Sequence, residues 1–350
     1  MEPTDSVVSL GQTPNSVPPV EQLSGRPRIA VTRAGLPGPA VGWLSAITEV
    51  DVWAHDDSPT PAQLRDFVAG AAGVLANGGD RIDAELLAAA GPGLRAVALS
   101  SMGYDGVDVG AVAAGRVVAT NTPSVLAETT ADLAFALILW SRRRLRAAAE
   151  HLHSGAWTSA RMGDLLGLDV HGARLGILGY GQIGKAVARR AHGFGMSVQH
   201  HHPSRMVSDE LSTAVGFDEL VSTSDVLSIH VPLNPSTRGL VGADVLARMK
   251  PTATLVNTGR GGVVDEAALL EALRAGRIHS AALDVMEGEP RSDPADPLFT
   301  DDRLVVLPHV GSATEATRSA MVDLAARNLA AILAGGDALT PLPGTAARYE

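Results

Sequence analysis

Cysteine is missing from all 350 residues. That excludes disulfides, thiolate nucleophiles and cysteine-ligated zinc, and it is compatible with a reducing compartment. Positive charge is in deficit, with a formal net charge of -10 at pH 7. Such a balance argues against a general nucleic-acid-binding or anionic-membrane surface and favours a soluble protein. Long apolar runs are also missing. The most apolar helix-like stretch, Leu133 to Trp140, is too short to span a bilayer and runs into arginines. The first residues, Met1-Glu-Pro-Thr-Asp-Ser6, have neither a basic nor an apolar region of the secretory kind. The expected location is the cytoplasm.

What remains is a chain with 45% hydrophobic residues, enough for a sizeable core and long enough for two domains. Residues 1–26, rich in Pro, Ser, Gly and Gln, read as a disordered arm. From Arg28 onward strands and helices alternate. Strands are expected at Ile29–Val31, Val74–Ala76, Arg95–Ser100 and Val117–Thr120, with helices starting near Ala40, Pro61, Asp83 and Val107. This alternation implies a parallel sheet covered on both faces. A long helix from about Ser124 to Glu150 follows, with an apolar stripe of Leu126, Leu133, Leu137 and Trp140. The basic run Arg142, Arg143, Arg144, Arg146 reads as its solvated or subunit-facing end, where cations complement the helix dipole.

A second α/β unit opens at Leu175. Strands are expected at Ser197–His200, Val226–His230, Ala253–Asn257, Ser280–Val285 and Leu304–Leu307, with helices at 183–194, 243–249 and 265–275. The closing helix, Glu315 to Leu333, comes too late to belong obviously to that second sheet. The expected organisation is therefore an inserted domain. Residues 27–123 and 312–345 form a split, flavodoxin-like substrate domain, and residues 124–311 form a Rossmann-like NAD(P)-binding domain. Both are doubly wound parallel sheets, with a ligand cleft expected between them.

The stretch Gly179-Tyr180-Gly181-Gln182-Ile183-Gly184 sits between a predicted strand and a predicted helix. The first glycine permits the tight turn, the second lets backbone approach a pyrophosphate, and the third lets helix and strand pack closely. The helix start supplies free N–H groups to the phosphates. The following strand ends at His200-His-His202-Pro-Ser204-Arg205, with no carboxylate before Asp209. An NAD site wants an acid there for the ribose hydroxyls, whereas a hydroxyl and an arginine suit a 2′-phosphate. NADP is accordingly expected, with NAD as the alternative. The three histidines are not read as a metal site, since neighbours on a strand face opposite ways and no acidic cluster accompanies them.

Three further segments follow predicted strands: Val256–Glu266 with Arg260, Ala282–Pro290 with Glu289, and Leu307–Thr314 with His309. Parallel sheets hold ligands at the C-terminal ends of their strands, so these side chains are candidates to converge. An arginine, a carboxylate and an imidazole beside a dinucleotide are what carbonyl reduction requires.

These motifs, together with His230-Val-Pro-Leu-Asn-Pro-Ser-Thr237, Met249-Lys-Pro251, Ser100-Ser-Met-Gly-Tyr-Asp105 and Asn121-Thr-Pro123, resemble the D-2-hydroxyacid dehydrogenase family, and most of all its glyoxylate/hydroxypyruvate reductase branch. The resemblance runs over about residues 28 to 337. It implies an NAD(P)-dependent enzyme that reduces a small 2-oxo acid to the D-2-hydroxy acid, and a homodimer. It implies His309 as acid/base and Glu289 as its carboxylate partner, a negative charge that favours imidazolium. Arg260 is implied to bind the substrate carboxylate and polarise the carbonyl, with the Met102 and Gly103 amides as further donors. Asp284 is implied to accept from the nicotinamide carboxamide. Gly179 to Gly184, His202, Pro232, Thr258, Gly259, Arg260, His309 and Gly311 are implied to line the cofactor.

The chain departs from the family at His202, where NAD users carry an acid, and at Met286, where an aromatic is usual. In the loop Ala76-Asn-Gly-Gly-Asp80, which faces the substrate side chain in relatives, two glycines leave room for a larger group. Alternatives are a phosphite dehydrogenase of the same fold or a nucleotide-binding corepressor. Glu289 speaks against a formate enzyme, which has Gln in that role.

Overall fold

A computed structural model describes residues 25–203 and 207–349; the expected arm, residues 1–26, lies outside these but for its last two positions, and Ser204 and Arg205 lie outside them entirely. The chain divides into two compact units, 1–123 with 319–350 and 124–318.

The first unit contains β1 (Arg28–Val31), α1 (Ala40–Ile47), β2 (Glu49–Val52), α2 (Pro61–Val68), β3 (Gly73–Ala76), α3 (Ala84–Ala90), β4 (Ala96–Leu99), α4 (Val109–Ala114) and β5 (Val118–Thr120). Its sheet runs β2-β1-β3-β4-β5, and every pairing is parallel. The central strands β3 and β4 are buried along their whole length, which is why they read as unbroken apolar runs. The helices start where side chains can occupy orphan amides. Thr60 and Gln63 form a reciprocal capping box behind Pro61 of α2, and Asp83 and Asp108 cap α3 and α4. Strand β2 was absent from the expected elements. It is an edge strand, Glu-Val-Asp-Val, with no buried residue, so no apolar run announces it.

The second unit contains α5 (Ala127–Arg142), α6 (Leu145–His153), β6 (Arg174–Leu178), α7 (Gln182–His192), β7 (Ser197–His201), β8 (Thr213–Ala214), α8 (Phe217–Thr223), β9 (Val226–Ile229), α9 (Ala243–Arg248), β10 (Thr254–Asn257), α10 (Glu266–Arg274), β11 (Ser280–Leu283), α11 (Pro297–Thr300) and β12 (Leu304–Val306). Seven parallel strands run in the order β12-β11-β10-β9-β6-β7-β8. The order reverses direction at β6, whose following loop carries the glycine motif, so the switch point of the sheet and the motif coincide. Two apolar clusters cover the sheet. One gathers Ile229, Leu255, Val263, Leu269 and Leu283; the other gathers Leu175, Ile177, Val187, Ala191, Phe135 and Ile138.

The expected long helix is two helices. It breaks at Arg144, which sits in the left-handed region at φ +51°, and α6 restarts from there. Nor is Arg142 a solvated helix end. It is only 5% exposed, and its guanidinium donates to the carbonyls of Asp169 and Asp225 at 2.9 and 2.8 Å. A buried guanidinium is tolerable because loop carbonyls take up its donors, and composition could not reveal that.

The last helix, α12 (Glu315–Leu333), buries Val322, Ala325, Leu329, Ile332 and Leu333 in one cluster with Ile29, Val31, Leu44 and Leu75 of the first unit. The chain leaves the second unit within this helix, between Arg318 and Ser319, rather than at residue 311. No helix of the described residues is long and apolar enough to cross a membrane.

Candidate active site

The turn after β6 uses its three glycines differently. Gly179 has φ +98°, and a Cβ there would stand 2.7 Å from the Val231 nitrogen and 2.8 Å from the His230 carbonyl carbon. Gly184 lies so close to the turn that a Cβ would meet the Gly179 carbonyl oxygen at 2.4 Å. At Gly181 a Cβ would meet nothing within 4 Å. Two glycines are therefore required by packing. The middle one borders open space at the start of α7, where no side chain caps the first amides. An open backbone curve before uncapped N–H groups fits a pyrophosphate. Gln182 of that first turn donates through Nε2 to Ser124 Oγ at 2.8 Å.

Tyr180 lies flat on His200, with ring centroids 3.8 Å apart and planes 10° from parallel, and its hydroxyl donates to Asp209 Oδ1 at 2.9 Å. Burial pushes the Tyr180 phenol up and so does the Asp209 charge. Burial alone would raise the Asp209 carboxyl, but donors from Tyr180, Leu211 and Ser212 hold it below the usual range. The first carboxylate after β7 is thus committed to Tyr180 and two backbone amides. His200 is buried with Nδ1 2.9 Å from Ser212 Oγ, and burial lowers its pKa. Among the described residues no group of three or more His, Cys, Asp or Glu is placed to hold a metal ion.

His230 follows β9 directly. Its ring spans two hydroxyls, Ser228 Oγ at 2.8 Å and Thr258 Oγ1 at 3.1 Å. Burial pushes it down to about 3, so the imidazole is neutral. Pro232 is two residues further on, its carbonyl taken by Thr237 Oγ1 at 2.6 Å.

Arg260 lies in the loop after β10. Asn257, the fully buried last residue of β10, braces this loop: its side chain donates to the Arg260 carbonyl at 2.9 Å and accepts the Gly259 N–H at 3.0 Å. The Arg260 guanidinium bonds the Gly259 carbonyl at 2.8 Å. At Gly261 a Cβ would lie 2.0 Å from the Met286 carbonyl carbon, so this loop is pressed onto the one that carries Glu289. Sequence reasoning missed Asn257. Its signal is an amide at the end of an otherwise apolar buried strand, where a buried polar group implies partners.

Glu289 joins both loops. Oε1 accepts the Met286 N–H at 2.5 Å, and Oε2 lies 2.8 Å from His309 Nδ1. Burial alone would raise the Glu289 carboxyl. The His309 hydrogen bond, the Met286 amide and the charges of His309 and Arg260 outweigh it and hold the group below its ordinary range. Met286 is buried against the core around it, so the methionine that replaces an aromatic still fills apolar space.

His309 follows β12 in a left-handed conformation, φ +53°, which costs a non-glycine residue about 1–2 kcal/mol. Asp284 holds that turn. Its carbonyl accepts the His309 N–H, and its two carboxylate oxygens accept the Val310 and Gly311 N–H groups, all at 2.8 Å. Asp284 is 1% exposed, and burial raises its pKa against those two amides. Arg260, Glu289, His309 and Asp284 therefore share the C-terminal edge of β10, β11 and β12, on the same side of the sheet as the glycine turn.

Met102 and Gly103 belong to the first unit, in the loop after β4. The Met102 carbonyl accepts Asn121 Nδ2 at 2.7 Å, and the Gly103 carbonyl accepts Ser101 Oγ at 2.8 Å. In the neighbouring loop after β3, buried Asp80 accepts from Thr32, Arg33 and the Asn77 amide.

Comparison with known proteins adds to this geometry. The profile "D-isomer specific 2-hydroxyacid dehydrogenase, NAD binding domain" matches residues 135–311. The chain is 41% identical over 314 residues to a glyoxylate reductase of Korarchaeum cryptofilum, covering 89% of this chain and 94% of that one. It is 44% identical over 280 residues to a glyoxylate/hydroxypyruvate reductase B of Erwinia tasmaniensis, covering 78% and 86%. Among solved structures, the NADPH-dependent glyoxylate/hydroxypyruvate reductase of Sinorhizobium meliloti, in complex with NADP and malonate, superposes with a TM-score of 0.80 at 36% identity, over 93% of this chain and 99% of that one.

Proposed function

We propose, from the premise that this chain belongs to the D-isomer specific 2-hydroxyacid dehydrogenase family, that it reduces glyoxylate, hydroxypyruvate or a similar small 2-oxo acid to the D-2-hydroxy acid. The observation that carries this reading is the Glu289–His309 pair standing with Arg260 at the strand ends of a sheet whose switch point carries an open glycine turn.

A dinucleotide fits the turn because Gly181 faces open space before uncapped helix amides. Gly179 to Gly184, His202, Pro232, Thr258, Gly259, Asp284 and Gly311 would hold it. When bound in reduced form it supplies the hydride. Glu289 occupies His309 Nδ1 and leaves Nε2 for the substrate carbonyl oxygen, which takes a proton there. The permanent charge of Arg260 draws the substrate carboxylate and favours the developing alkoxide. The Met102 and Gly103 N–H groups serve as neutral donors to that carboxylate. Gly78 is packed against Ser101, where a Cβ would meet the side chain at 2.7 Å, so the room in this loop lies beside Gly79, and it favours substrates with a hydroxymethyl group over glyoxylate alone.

NADP is the preferred cofactor in this reading. The strand end bears histidines instead of an acid, and the nearest carboxylate, Asp209, is committed to Tyr180 and two amides. The assembly is a homodimer. Six exposed apolar side chains, Trp140, Leu145, Leu152, Trp157, Met162 and Leu166, fall within residues 140–166 of the second unit, and so much exposed apolar surface in one segment is what a subunit contact would cover. Sedimentation of a monomer at assay concentration would count against it.

The assay that tests the whole reading is a screen of 2-oxo acids with NADH and NADPH side by side, on the native protein and on Arg260→Ala. The variant is expected to lose about 10²–10³-fold in kcat while still binding NADPH. Wild-type turnover in Arg260→Ala would overturn the assignment. A larger kcat/KM with NADH would overturn the cofactor preference.

A further inference from the structure

We infer that Asn121 is a positioning residue: it aims the Gly103 N–H at the substrate, and Thr340 and Asn328 hold it in place. The inference rests on the reading of Met102 and Gly103 as donors to the substrate carboxylate.

Three successive carbonyls in the loop after β4 are pinned. Ser101 O accepts the Thr122 N–H at 2.9 Å. Met102 O accepts Asn121 Nδ2 at 2.7 Å. Gly103 O accepts Ser101 Oγ at 2.8 Å. In a planar trans peptide the C=O and the N–H point in opposite directions. Fixing these three oxygens therefore turns the N–H groups of Met102, Gly103 and Tyr104 the other way. None of the three donates to another group among the described residues. Amides without a partner among the described residues suit an anionic group, and pinning each carbonyl fixes the direction of the N–H that shares its peptide plane.

Only the Ser101 hydroxyl is local to the loop; the other two pins come from consecutive residues after β5, the Thr122 backbone N–H and the Asn121 side chain. The middle one is an amide side chain from the next strand's end, and a second layer grips it. Thr340 Oγ1 donates to the Asn121 carbonyl at 2.6 Å, and the Asn121 N–H donates to Thr340 O at 3.3 Å. Asn328, fully buried on α12, completes the relay. Its Nδ2 donates to Thr340 Oγ1 and to Leu324 O, both at 2.9 Å, and its Oδ1 accepts the Leu339 and Thr340 amides at 2.9 and 3.1 Å. Every hydrogen-bonding site on that side chain is used for orientation. The last helix thereby reaches the substrate loop through two side chains.

A merely structural role would cost stability alone, so the test reads binding. Asn121→Ala is expected to raise KM for the 2-oxo acid about tenfold, with a smaller change in kcat and an unchanged Kd for NADPH. Asn121→Asp puts an acceptor opposite the Met102 carbonyl and is expected to raise KM further. Thr340→Val, which leaves Asn121 in place but loosens it, is expected to give a smaller rise and serves if Asn121→Ala fails to fold. In parallel, the Gly103 amide resonance is followed while oxamate is added to the holoenzyme. It is expected to move in the wild type and to move far less in Asn121→Ala. If it is silent in the wild type, the assignment of Gly103 as a donor fails, and the inference with it. If it moves equally in both, or KM stays at the wild-type value in every variant, the role of Asn121 alone is overturned.

Discussion

The two sheets have similar architecture and differ in what their strand ends carry. After β10, β11 and β12 stand an arginine, a glutamate and a histidine, with the carboxylate pulled below its ordinary range by the His309 and Met286 hydrogen bonds and the charges around it, against its burial. After β4 the Met102 and Gly103 carbonyls are taken by neutral groups, an asparagine amide and a serine hydroxyl. In the proposed reading, charge stands where a proton would move and electron density would shift, and neutral donors stand where a ligand would only be held. The difference has a structural cost on the charged side. His309 sits in a left-handed conformation and Asp284 is buried to secure its turn.

Breaking the charged edge should have the largest effect. His309→Asn is expected to lower kcat by about 10²–10⁴-fold with the fold intact, as measured by circular dichroism and steady-state kinetics. A loss smaller than that caused by Asn121→Ala would reverse the contrast between the edges. Next in size is a contrast inside the glycine turn. Gly184→Val forces a side chain onto the Gly179 carbonyl and should cost about 1–3 kcal/mol of stability. Gly181→Val meets open space, so denaturant unfolding should barely change while the KM for the dinucleotide rises. Equal destabilisation by both would mean that Gly181 is a packing residue and not the border of a binding site.

Last comes His230, between Ser228 and Thr258. Its pKa is about 3 in the folded chain against 6.5 ordinarily. Above 6.5 the neutral ring is free of any proton penalty. As pH falls from 6.5 toward 3 the unfolded chain binds a proton that the folded chain refuses, so stability is lost, by at most about 1.4 kcal/mol per pH unit. Urea unfolding at pH 7 and pH 4.5 should show a larger acid loss for wild type than for His230→Gln. Identical losses would mean that the ring is not held neutral by burial.

Strand–helix alternation made the fold class legible, because β3 and β4 are unbroken short apolar runs and the buried strands β9, β10 and β11 are short apolar runs interrupted only by Ser228, Thr254, Asn257 and Ser280. The edge strand β2 was not, since its half-exposed Glu-Val-Asp-Val carries no such run. The helix break at Arg144 was invisible as well. Nothing in a run of arginines says which one turns inward to meet the Asp169 and Asp225 carbonyls.

The candidate site divides the same way. By residue type and place in the pattern, the sequence determined a glycine turn at Gly179 to Gly184, an arginine, a glutamate and a histidine after successive strands, and no acid at the end of β7. Those are properties of chain order, and local sterics enforce them. Which groups touch was decided by tertiary structure alone. Asn257 bracing Arg260, Asp284 clamping the His309 turn, Tyr180 occupying Asp209 and Asn328 reaching Met102 through Thr340 and Asn121 all join residues distant in the chain or indistinct in pattern. A buried polar side chain must find partners, but the sequence does not say which. The packing of helix against sheet chooses them.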